Sequence, residues 1–391
     1  METPSLENPI RARVVQQQRR RRLPVLPPDL IVEILTWLPV DSLLRFRSVS
    51  KWFKTLISSP DFVKSHLRNT KALSAVKPNR VDRLFRRSLH SWSLDTLYNA
   101  PGIEGVELVD TVKRHLISYD WAVGSCDGML CSVGWYSRMV VWNPSTGIVM
   151  ELSLKDLPDV ASTEEMFEIS RVFGFGYDCQ LDDYKVVAMI SYPAENRTRH
   201  DEFETLVKVF ALKTTSWRRV DNFKHGLPIG NGTFAAGRLY YKVRSFDAGN
   251  LERKDTLFSL DLATEKFNKV KLPDFDEAAT TLWELGSFAD DRLYLTCSYG
   301  NSCEVWVMKE PRVMESWTKL FRVDQHEVNA QSLAPLYISD NGEALWKNGA
   351  DLFIYNSKDN TFRFPRSRGL SDPNNREVIY METLVSPRMD N

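Results

Sequence analysis

The stretch FSLDLATEKF, residues 258–267, holds a short strand-like segment, a polar turn and the start of a second apolar segment. The turn contains Thr264, and the second segment starts at the aromatic residue Phe267. A short apolar run, a tight polar turn and a second apolar run are typical of two antiparallel strands. The stretch therefore predicts one β-hairpin.

The same strand–turn–strand unit recurs along the chain. Its other copies lie at residues 141–147, 209–217, 305–317 and 354–362. Four apolar positions in the first strand of these units follow one another at intervals of 48 residues, namely Phe210, Phe258, Trp306 and Ile354. A second strand-forming element repeats in phase and carries Leu239, Leu293 and Leu345. Two hairpin elements per period predict four-stranded units, close to the ~50 residues of a kelch repeat.

Four-stranded units that pack radially form a β-propeller. Residues 71–391 suffice for about six or seven irregular blades of ~50 residues each. Residues 84–97 would supply an irregular first blade, and the strand at residues 378–385 would pair with it to close the ring. A solenoid and two stacked sandwiches are the structural alternatives.

Residues 24–70 have a helical pattern. Apolar residues recur at helical spacing, at Leu30, Ile31, Ile34, Leu35 and Leu38. Prolines precede this run, and Pro39 ends it. We expect Asp41 or Ser42 to cap a second helix that continues to Ile57, and Ser59–Pro60 to begin a third short helix. The segment has more apolar positions than three short helices can bury, which predicts a partner helix or packing on the rest of the chain. An N-terminal helical cap on the second domain is the alternative.

The fold class predicted is therefore α+β multidomain, with a small all-α module followed by an all-β, propeller-like domain. Residues 1–23 form a basic tail that ends in Arg19–Arg22. Four arginines in a row are typical of a solvated tail, and a nuclear-import patch or a nucleic-acid-binding arm is the alternative.

Composition narrows the function classes. The chain has 391 residues with 51 Lys+Arg and 51 Asp+Glu, so it is not a strongly basic nucleic-acid binder over its whole length. No apolar run is long enough to predict a transmembrane helix, and no signal peptide is expected. Five widely spaced cysteines predict free thiols rather than a disulfide framework. We therefore expect an intracellular protein, cytoplasmic, nuclear or both.

Catalytic motifs are absent from the sequence. The six histidines are scattered and show no metal-ligand spacing such as HExxH. Gly174 and Gly176 lack the context of a dinucleotide-binding motif, and the acidic pairs at 182–183 and 290–291 are typical of turns. The sequence predicts no catalytic residue, no metal site and no cofactor.

The helical module resembles an F-box. The resemblance lies in LP at 26–27, IL at 34–35, LP at 38–39, LLR at 43–45, RSV at 47–49, Lys51 and SPDF at 59–62. Ser50 and Phe53 stand where many members of the family have Cys and Trp. The resemblance implies binding of a Skp-family adaptor protein through a set of mostly apolar residues: Leu26, Pro27, Leu30, Ile34, Leu35, Leu38, Pro39, Leu43, Leu44, Arg45, Val49, Lys51 and Phe53.

The second domain resembles the F-box-associated, kelch-like domain of plant F-box proteins. Its markers are GSCDGMLC at 124–131, WNPSTG at 142–147, FGFGYD at 173–178, DYKVV at 183–187 and ETLV at 382–385. The double-glycine signature of a standard kelch repeat is absent, which indicates a diverged propeller.

Together the two resemblances imply a non-catalytic substrate receptor of an SCF-type ubiquitin ligase. The adaptor would connect it to a cullin–RING scaffold, and the propeller would recruit a target protein for ubiquitination and degradation. The substrate-binding residues are not assigned. Candidate recognition loops are residues 157–171, 192–204 and 246–255. A glycan- or protein-binding propeller outside any ligase is the first alternative, and a metal-dependent propeller enzyme is the second. We expect neither a membrane nor a nucleic acid as partner.

Overall fold

The protein is described by a computed structural model. It describes residues 26–74, 80–85, 88–93, 119–134, 138–158, 170–193, 203–246, 253–276, 280, 282–288, 291–299, 302–310, 316–324, 333–339, 342–348, 351–364 and 376–388. The basic tail predicted at residues 1–23 and the interiors of the three predicted recognition loops lie outside these residues.

Four helices begin the described chain: α1 (Pro28–Thr36), α2 (Val40–Phe46), α3 (Lys51–Ile57) and α4 (Pro60–Ser74). The predicted start of the last helix is confirmed, because Pro60 is its first residue and the Ser59 hydroxyl oxygen accepts a hydrogen bond from the Phe62 N–H (3.4 Å). The sequence pattern merged α2 and α3 into one helix, which is wrong.

The break between α2 and α3 comes from Ser50. Its backbone is extended (φ −156°, ψ 161°), and its Oγ accepts a hydrogen bond from the Phe53 N–H at 3.2 Å. Ser50 is therefore the N-cap of α3, a role that suits a hydroxyl group. The predicted cap at Asp41 or Ser42 is also wrong. The helix α2 begins directly after Pro39, because the proline has an extended conformation (φ −57°, ψ 148°) that leads straight into the first turn.

The rest of the described chain is a set of β-strands. They are β1 (Arg80–Phe85), β2 (Ser88–Ser93), β3 (Tyr119–Cys126), β4 (Met129–Gly134), β5 (Met139–Asn143), β6 (Ile148–Leu152), β7 (Ser170–Asp178), β8 (Asp183–Pro193), β9 (Phe203–Ala211), β10 (Ser216–Arg219), β11 (Leu227–Ala235), β12 (Arg238–Phe246), β13 (Arg253–Asp261), β14 (Phe267–Val270), β15 (Leu282–Ser287), β16 (Leu293–Tyr299), β17 (Ser302–Met308), β18 (Trp317–Asp324), β19 (Leu333–Ile338), β20 (Glu343–Asn348), β21 (Asp351–Asn356), β22 (Thr361–Arg363) and β23 (Arg376–Tyr380).

In the described residues these strands form six antiparallel units. Five of them run in sequence order: β3 to β6, β7 to β10, β11 to β14, β15 to β18 and β19 to β22. A parallel bridge between Gly174 and Gly232 joins two of these units into one eight-stranded sheet. The sixth unit contains β23, β1 and β2. The first strands of neighbouring units contact one another in a closed circuit, which is the arrangement of a propeller.

The repeat found in the sequence is confirmed in the structure. The four residues spaced by 48 each lie on the third strand of their unit: Phe210 on β9, Phe258 on β13, Trp306 on β17 and Ile354 on β21. The three repeated leucines lie on the second strand of their units. The period is therefore one blade.

The first and last described strands close the ring. The strand β23 pairs antiparallel with β1 along five residue pairs, from Arg80↔Tyr380 to Leu84↔Arg376. It also contacts β3 and β19, the first strands of the two flanking units, so β23 is the innermost strand of its own unit. The predicted closure by the final strand is confirmed, but the predicted bounds are wrong, because β23 covers Arg376–Tyr380 and residues 381–385 are not in a strand. The solenoid and sandwich alternatives are also wrong.

The helices dock on one end of this ring. We call this end the near end. In each of the five units that run in sequence order, the first strand turns into the second there, and Asp127, Asp182 and Asp291 lie in or beside three of these turns. Val63 and Leu67 of α4 pack against the propeller core. Part of the apolar surplus predicted for the helical module therefore packs on the second domain.

Two lysines of α4 form ion pairs that fix the docking. The Lys71 ammonium lies 2.6 Å from a carboxylate oxygen of Asp127, which is buried and also accepts a hydrogen bond from the Tyr184 hydroxyl (2.8 Å). Burial acts to lower the pKa of Lys71, but the carboxylates of Asp127 and Asp291 outweigh it and hold that pKa above its ordinary value. The second pair, Lys64 with Asp182 (2.7 Å), is exposed on both sides.

The segment after β23 joins three of the sequence markers. The Asn143 amide donates hydrogen bonds to the carbonyl oxygens of Thr383 (2.9 Å) and Val385 (2.7 Å). The Thr383 hydroxyl donates to the Asp127 carbonyl oxygen at 2.7 Å. Gly128 has φ +81°, and a Cβ there would lie 2.4 Å from the Thr383 hydroxyl oxygen, so glycine is required for this close approach.

A buried charge network joins the unit of β7 to β10 with the unit of β11 to β14. The Lys185 ammonium lies 2.8 Å from Asp178 and 3.1 Å from Glu265, and it donates to the Leu262 carbonyl oxygen at 2.7 Å. Burial acts to raise the pKa of Asp178, but hydrogen bonds from Lys185 and from the N–H groups of the following turn hold it below its ordinary value. A buried ion pair of this kind is costly to break, because the remaining charge stays without its partner.

We expect Lys71→Met to lower the free energy of unfolding by about 2 kcal/mol, since it leaves the buried Asp127 carboxylate without its cation. The control Lys64→Met removes an exposed pair on the same helix and should cost at most about 1 kcal/mol. Urea denaturation of the full chain measures both. Equal losses would show that burial of Asp127 does not matter to the docking of α4.

Lys185→Met should lower the free energy of unfolding by about 3–5 kcal/mol, because Asp178 and Glu265 lose the cation that they share. The control is Lys213→Met, which removes an exposed lysine 3.7 Å from Asp182 and should cost at most about 1 kcal/mol. A guanidinium titration followed by tryptophan fluorescence gives both values. An unchanged free energy of unfolding in Lys185→Met would mean that the network does not stabilise the contact between these two units.

Candidate functional site

One face of α1 is apolar and open to solvent. Leu30 and Ile34 lie four residues apart on this helix, Leu26 precedes the helix by two residues and Trp37 follows it directly. The exposed fractions of Leu26, Leu30, Ile34 and Trp37 are 50%, 51%, 51% and 50%. Residues four apart on a helix lie on one face. Half-exposed apolar side chains in a row are not a packed core, and an exposed apolar patch marks an interaction site.

A second exposed apolar group lies on α2, α3 and the turn between them. It contains Phe46, Val49 and Trp52, with exposed fractions of 36%, 66% and 47%. The Phe46 and Trp52 rings both contact Phe53, at centroid distances of 5.8 and 5.0 Å. The aromatic contacts give this group a fixed shape. We call the two groups together, Leu26, Leu30, Ile34, Trp37, Phe46, Val49 and Trp52, the apolar band.

The residues predicted to bind the adaptor fall into three classes of burial. Two are in the core of the helical module, Leu35 and Leu43. Three are half-buried at its edge, Leu38, Leu44 and Phe53. Eight are exposed, Leu26, Pro27, Leu30, Ile34, Pro39, Arg45, Val49 and Lys51. The exposed members Leu26, Leu30, Ile34 and Val49 thus belong to the apolar band, whereas Leu35 and Leu43 lie in the helical core.

The residues predicted from the sequence to bind the adaptor do not include Trp37, Phe46 and Trp52. For Trp37 a signal was present, because it follows Ile34 by three residues on the face that carries Leu30. For Phe46 and Trp52 the signal was weak, since an aromatic residue at helical spacing is equally typical of a core. Burial distinguishes the two cases, and it depends on how the helices cross.

Polar contacts hold α1 on α4 beneath the band. His66 of α4 is buried and donates through Nε2 to the Leu38 carbonyl oxygen at 3.0 Å. The Asn69 amide donates to the Thr36 hydroxyl at 3.0 Å. Burial lowers the pKa of His66, and the hydrogen bond to Leu38 offsets this only in part. A neutral His66 thus supplies a hydrogen-bond donor to the Leu38 carbonyl just after α1, and no charge is buried there.

The margin of the apolar band carries both signs of charge. Arg45, Lys51 and Lys54 lie on α2 and α3, while Asp29 and Glu33 lie on α1. The Glu33 carboxylate accepts a hydrogen bond from the Trp37 indole N–H at 3.2 Å. The exposed Asp41 also lies on α2, so the helices that carry the band present charges of both signs.

The cavity at the near end is small. It has a volume of about 70 Å³ and lies where Lys71 meets Asp127, Asp291 and the end of β23. Its charged groups are already engaged in docking α4, so the cavity belongs to the junction between the domains.

Among the residues that the structure describes, no three His, Cys, Asp or Glu side chains come together as metal ligands. All five cysteines are unpaired thiols, and four of them are buried. Burial raises the pKa of Cys303 to about 12, which leaves it a poor nucleophile. Within the described helices, none is long and apolar enough to cross a membrane.

Comparison with known proteins agrees with both parts of the structure. Residues 23–65 match the F-box domain, and residues 102–380 match the F-box associated beta propeller domain. The F-box/kelch-repeat protein At3g23880 of Arabidopsis thaliana is 30% identical over 374 residues, which cover 93% of this chain and 96% of that protein. The F-box protein CPR1 of the same plant is 30% identical over 317 residues, or 77% of this chain and 73% of that one.

Similarity to solved structures is distant. An alpha-L-arabinofuranosidase from Fusarium graminearum is 14% identical, covers 60% of this chain and 76% of its own, and has a TM-score of 0.37. This similarity is too low to indicate a function. An F-box domain, in contrast, is in general a module that binds Skp-type adaptors, and proteins that carry it are receptors rather than enzymes. The helices, the six-unit ring and both domain matches identify this chain as a member of the F-box proteins with an F-box-associated β-propeller domain.

Proposed function

We propose that this protein is the substrate-recognition subunit of an SCF-type E3 ubiquitin ligase. Its helices bind a Skp-family adaptor, which connects it to a cullin–RING scaffold, and its propeller recruits a target protein for ubiquitination and degradation. The transfer chemistry belongs to other subunits. This chain contributes proximity, because a bound target meets the charged ubiquitin carrier as a tethered reactant.

The apolar band is the observation that carries this proposal. Its seven side chains are exposed in the isolated chain, although burying one such side chain is worth about 1.5–3 kcal/mol. Part of that gain offsets the cost of association, so a partner must cover several of them at once. A helical adaptor surface with complementary apolar side chains meets this requirement.

The arrangement of the propeller supports target binding at the other end of the ring. The near end is covered by α4 and by the segment after β23. The strands that flank the three predicted recognition loops, such as β8 and β9 on either side of residues 194–202, end at the opposite, far end. Recognition loops on the far end would leave the helices free for the adaptor.

The double variant Leu30→Asp with Ile34→Asp should lower adaptor affinity by at least about a hundredfold, because two charges would have to be buried in an apolar contact. The folded chain should persist, since both residues are half exposed. Leu320→Asp is the matched control, since Leu320 on β18 is 47% exposed but lies on the propeller. Calorimetric titration with a recombinant Skp-family adaptor measures all three proteins.

Unchanged affinity in the double variant, or an equal loss in the Leu320 control, would contradict docking through the apolar band. No binding by the wild-type chain to any adaptor of its own species would contradict the proposed function itself.

The same double variant should trap the target in cells. It retains the propeller but loses the adaptor, so bound target protein is no longer ubiquitinated and should accumulate on the variant. We expect the same protein on the wild-type chain only when the proteasome is inhibited. Affinity purification with quantitative mass spectrometry compares the two. A ligand recovered equally from both without inhibition would instead favour a glycan- or protein-binding propeller outside a ligase.

A further inference from the structure

One residue in the core of the helical module comes from the segment that follows β23. Leu384 is 6% exposed and packs with the buried residues of the helices. These residues are Leu35, Val40, Leu43, Ile57 and Phe62. The F-box is therefore completed by a side chain that follows every strand of the propeller.

We propose that closure of the propeller ring controls whether the F-box helices are ordered. Leu384 reaches the helical core only when β23 has paired with β1, so a chain with an open ring has an incomplete F-box. The consequence for adaptor binding rests on the proposed function above, whereas the order of the helices does not.

The size of the helical module makes the extra residue important. The four helices span residues 28–74, close to the ~40-residue limit below which a domain does not fold on a core of its own. Most of one face of α1 is exposed in the apolar band and contributes nothing to this core. Loss of one of so few buried side chains should therefore loosen the whole module.

The position of Leu384 is set by the ring. Only three residues separate it from Tyr380, the last residue of β23, which pairs with Arg80 of β1. On either side of Leu384, the Thr383 and Val385 carbonyl oxygens accept hydrogen bonds from the Asn143 amide. The propeller thus holds Leu384 from both sides and presents it to the helices.

Val385 provides a matched control for Leu384. It is the next residue in the sequence and has the same exposed fraction of 6%, but its side chain packs in the propeller core instead of the helical core. A loss of packing at Val385 and a loss at Leu384 therefore differ mainly in which domain they affect.

The inference is tested by hydrogen exchange of the full chain carrying Leu384→Ala or Val385→Ala. We expect Leu384→Ala to speed amide exchange in α1 and α4 by at least about tenfold and to lower adaptor affinity by a similar factor. Val385→Ala should leave exchange in these helices and adaptor affinity within about twofold, and lower the unfolding midpoint of the propeller. Leu384→Val removes less of the side chain, so we expect smaller changes in the same direction as those of Leu384→Ala.

A third variant, Ile379→Pro, tests the link to ring closure, because proline removes the backbone N–H of a residue that pairs with Val81. The helices α1 and α4 should lose protection together with β1. Protected helices in this variant or in Leu384→Ala, or equal effects of the Leu384 and Val385 variants, would overturn the inference. If the wild-type chain fails to bind an adaptor, the proposed function fails, but the exchange comparison still decides whether Leu384 orders the helices.

Discussion

The antiparallel pairing of β1 with β23 holds together strands that are about 300 residues apart in sequence, and most of the architecture depends on it. Without it the unit of β23, β1 and β2 would lose its innermost strand, and the ring would have two free edges. The same pairing fixes the segment that follows β23. That segment bonds to Asn143 and Asp127 and carries Leu384 into the helical core. Ring closure, the near-end turns and the helices are thus linked through a few consecutive residues.

This linkage has a consequence for how an F-box protein presents its target. Two lysines of α4 pair with aspartates of the propeller, and Val63 and Leu67 pack on its core. The helices therefore have a defined orientation on the ring rather than a flexible linker. Under the proposed function, helices held in this way would keep a bound target at a set distance from the adaptor, which would raise the effective concentration of target lysines near the ubiquitin carrier.

The sequence was most informative where local patterns repeat. The spacing of 48 residues identified the third strand of each blade, and the strand-like character of residues 378–385 predicted ring closure, because these features depend on short segments alone. It was least informative about the helices. Helical periodicity does not distinguish Ile34 from Leu35 as interface or core residues, but Ile34 is half exposed and Leu35 is buried. Which of two adjacent residues faces the core depends on how α1 crosses α4, and periodicity does not contain that information.

Leu384 illustrates the same limit of prediction from one sequence. The ETLV motif was a marker of the domain, but its role depends on contacts with residues more than 300 positions away, Leu35 and Leu43 among them. Likewise Asp127 appears in the sequence only as part of the GSCDGMLC marker, and only the fold places Lys71 against it. Long-range contacts of this kind leave no periodic trace in one sequence.

The central claim is that one rigid chain carries an adaptor-binding band on helices fixed to the propeller. The most direct measurement is a cryo-electron microscopy structure of the full chain bound to a Skp-family adaptor and a cullin. The adaptor should cover Leu30, Ile34 and Trp37, while Lys71 stays in contact with Asp127 and Leu384 stays in the helical core. An adaptor seated on the propeller, or helices detached from the near end, would contradict the account.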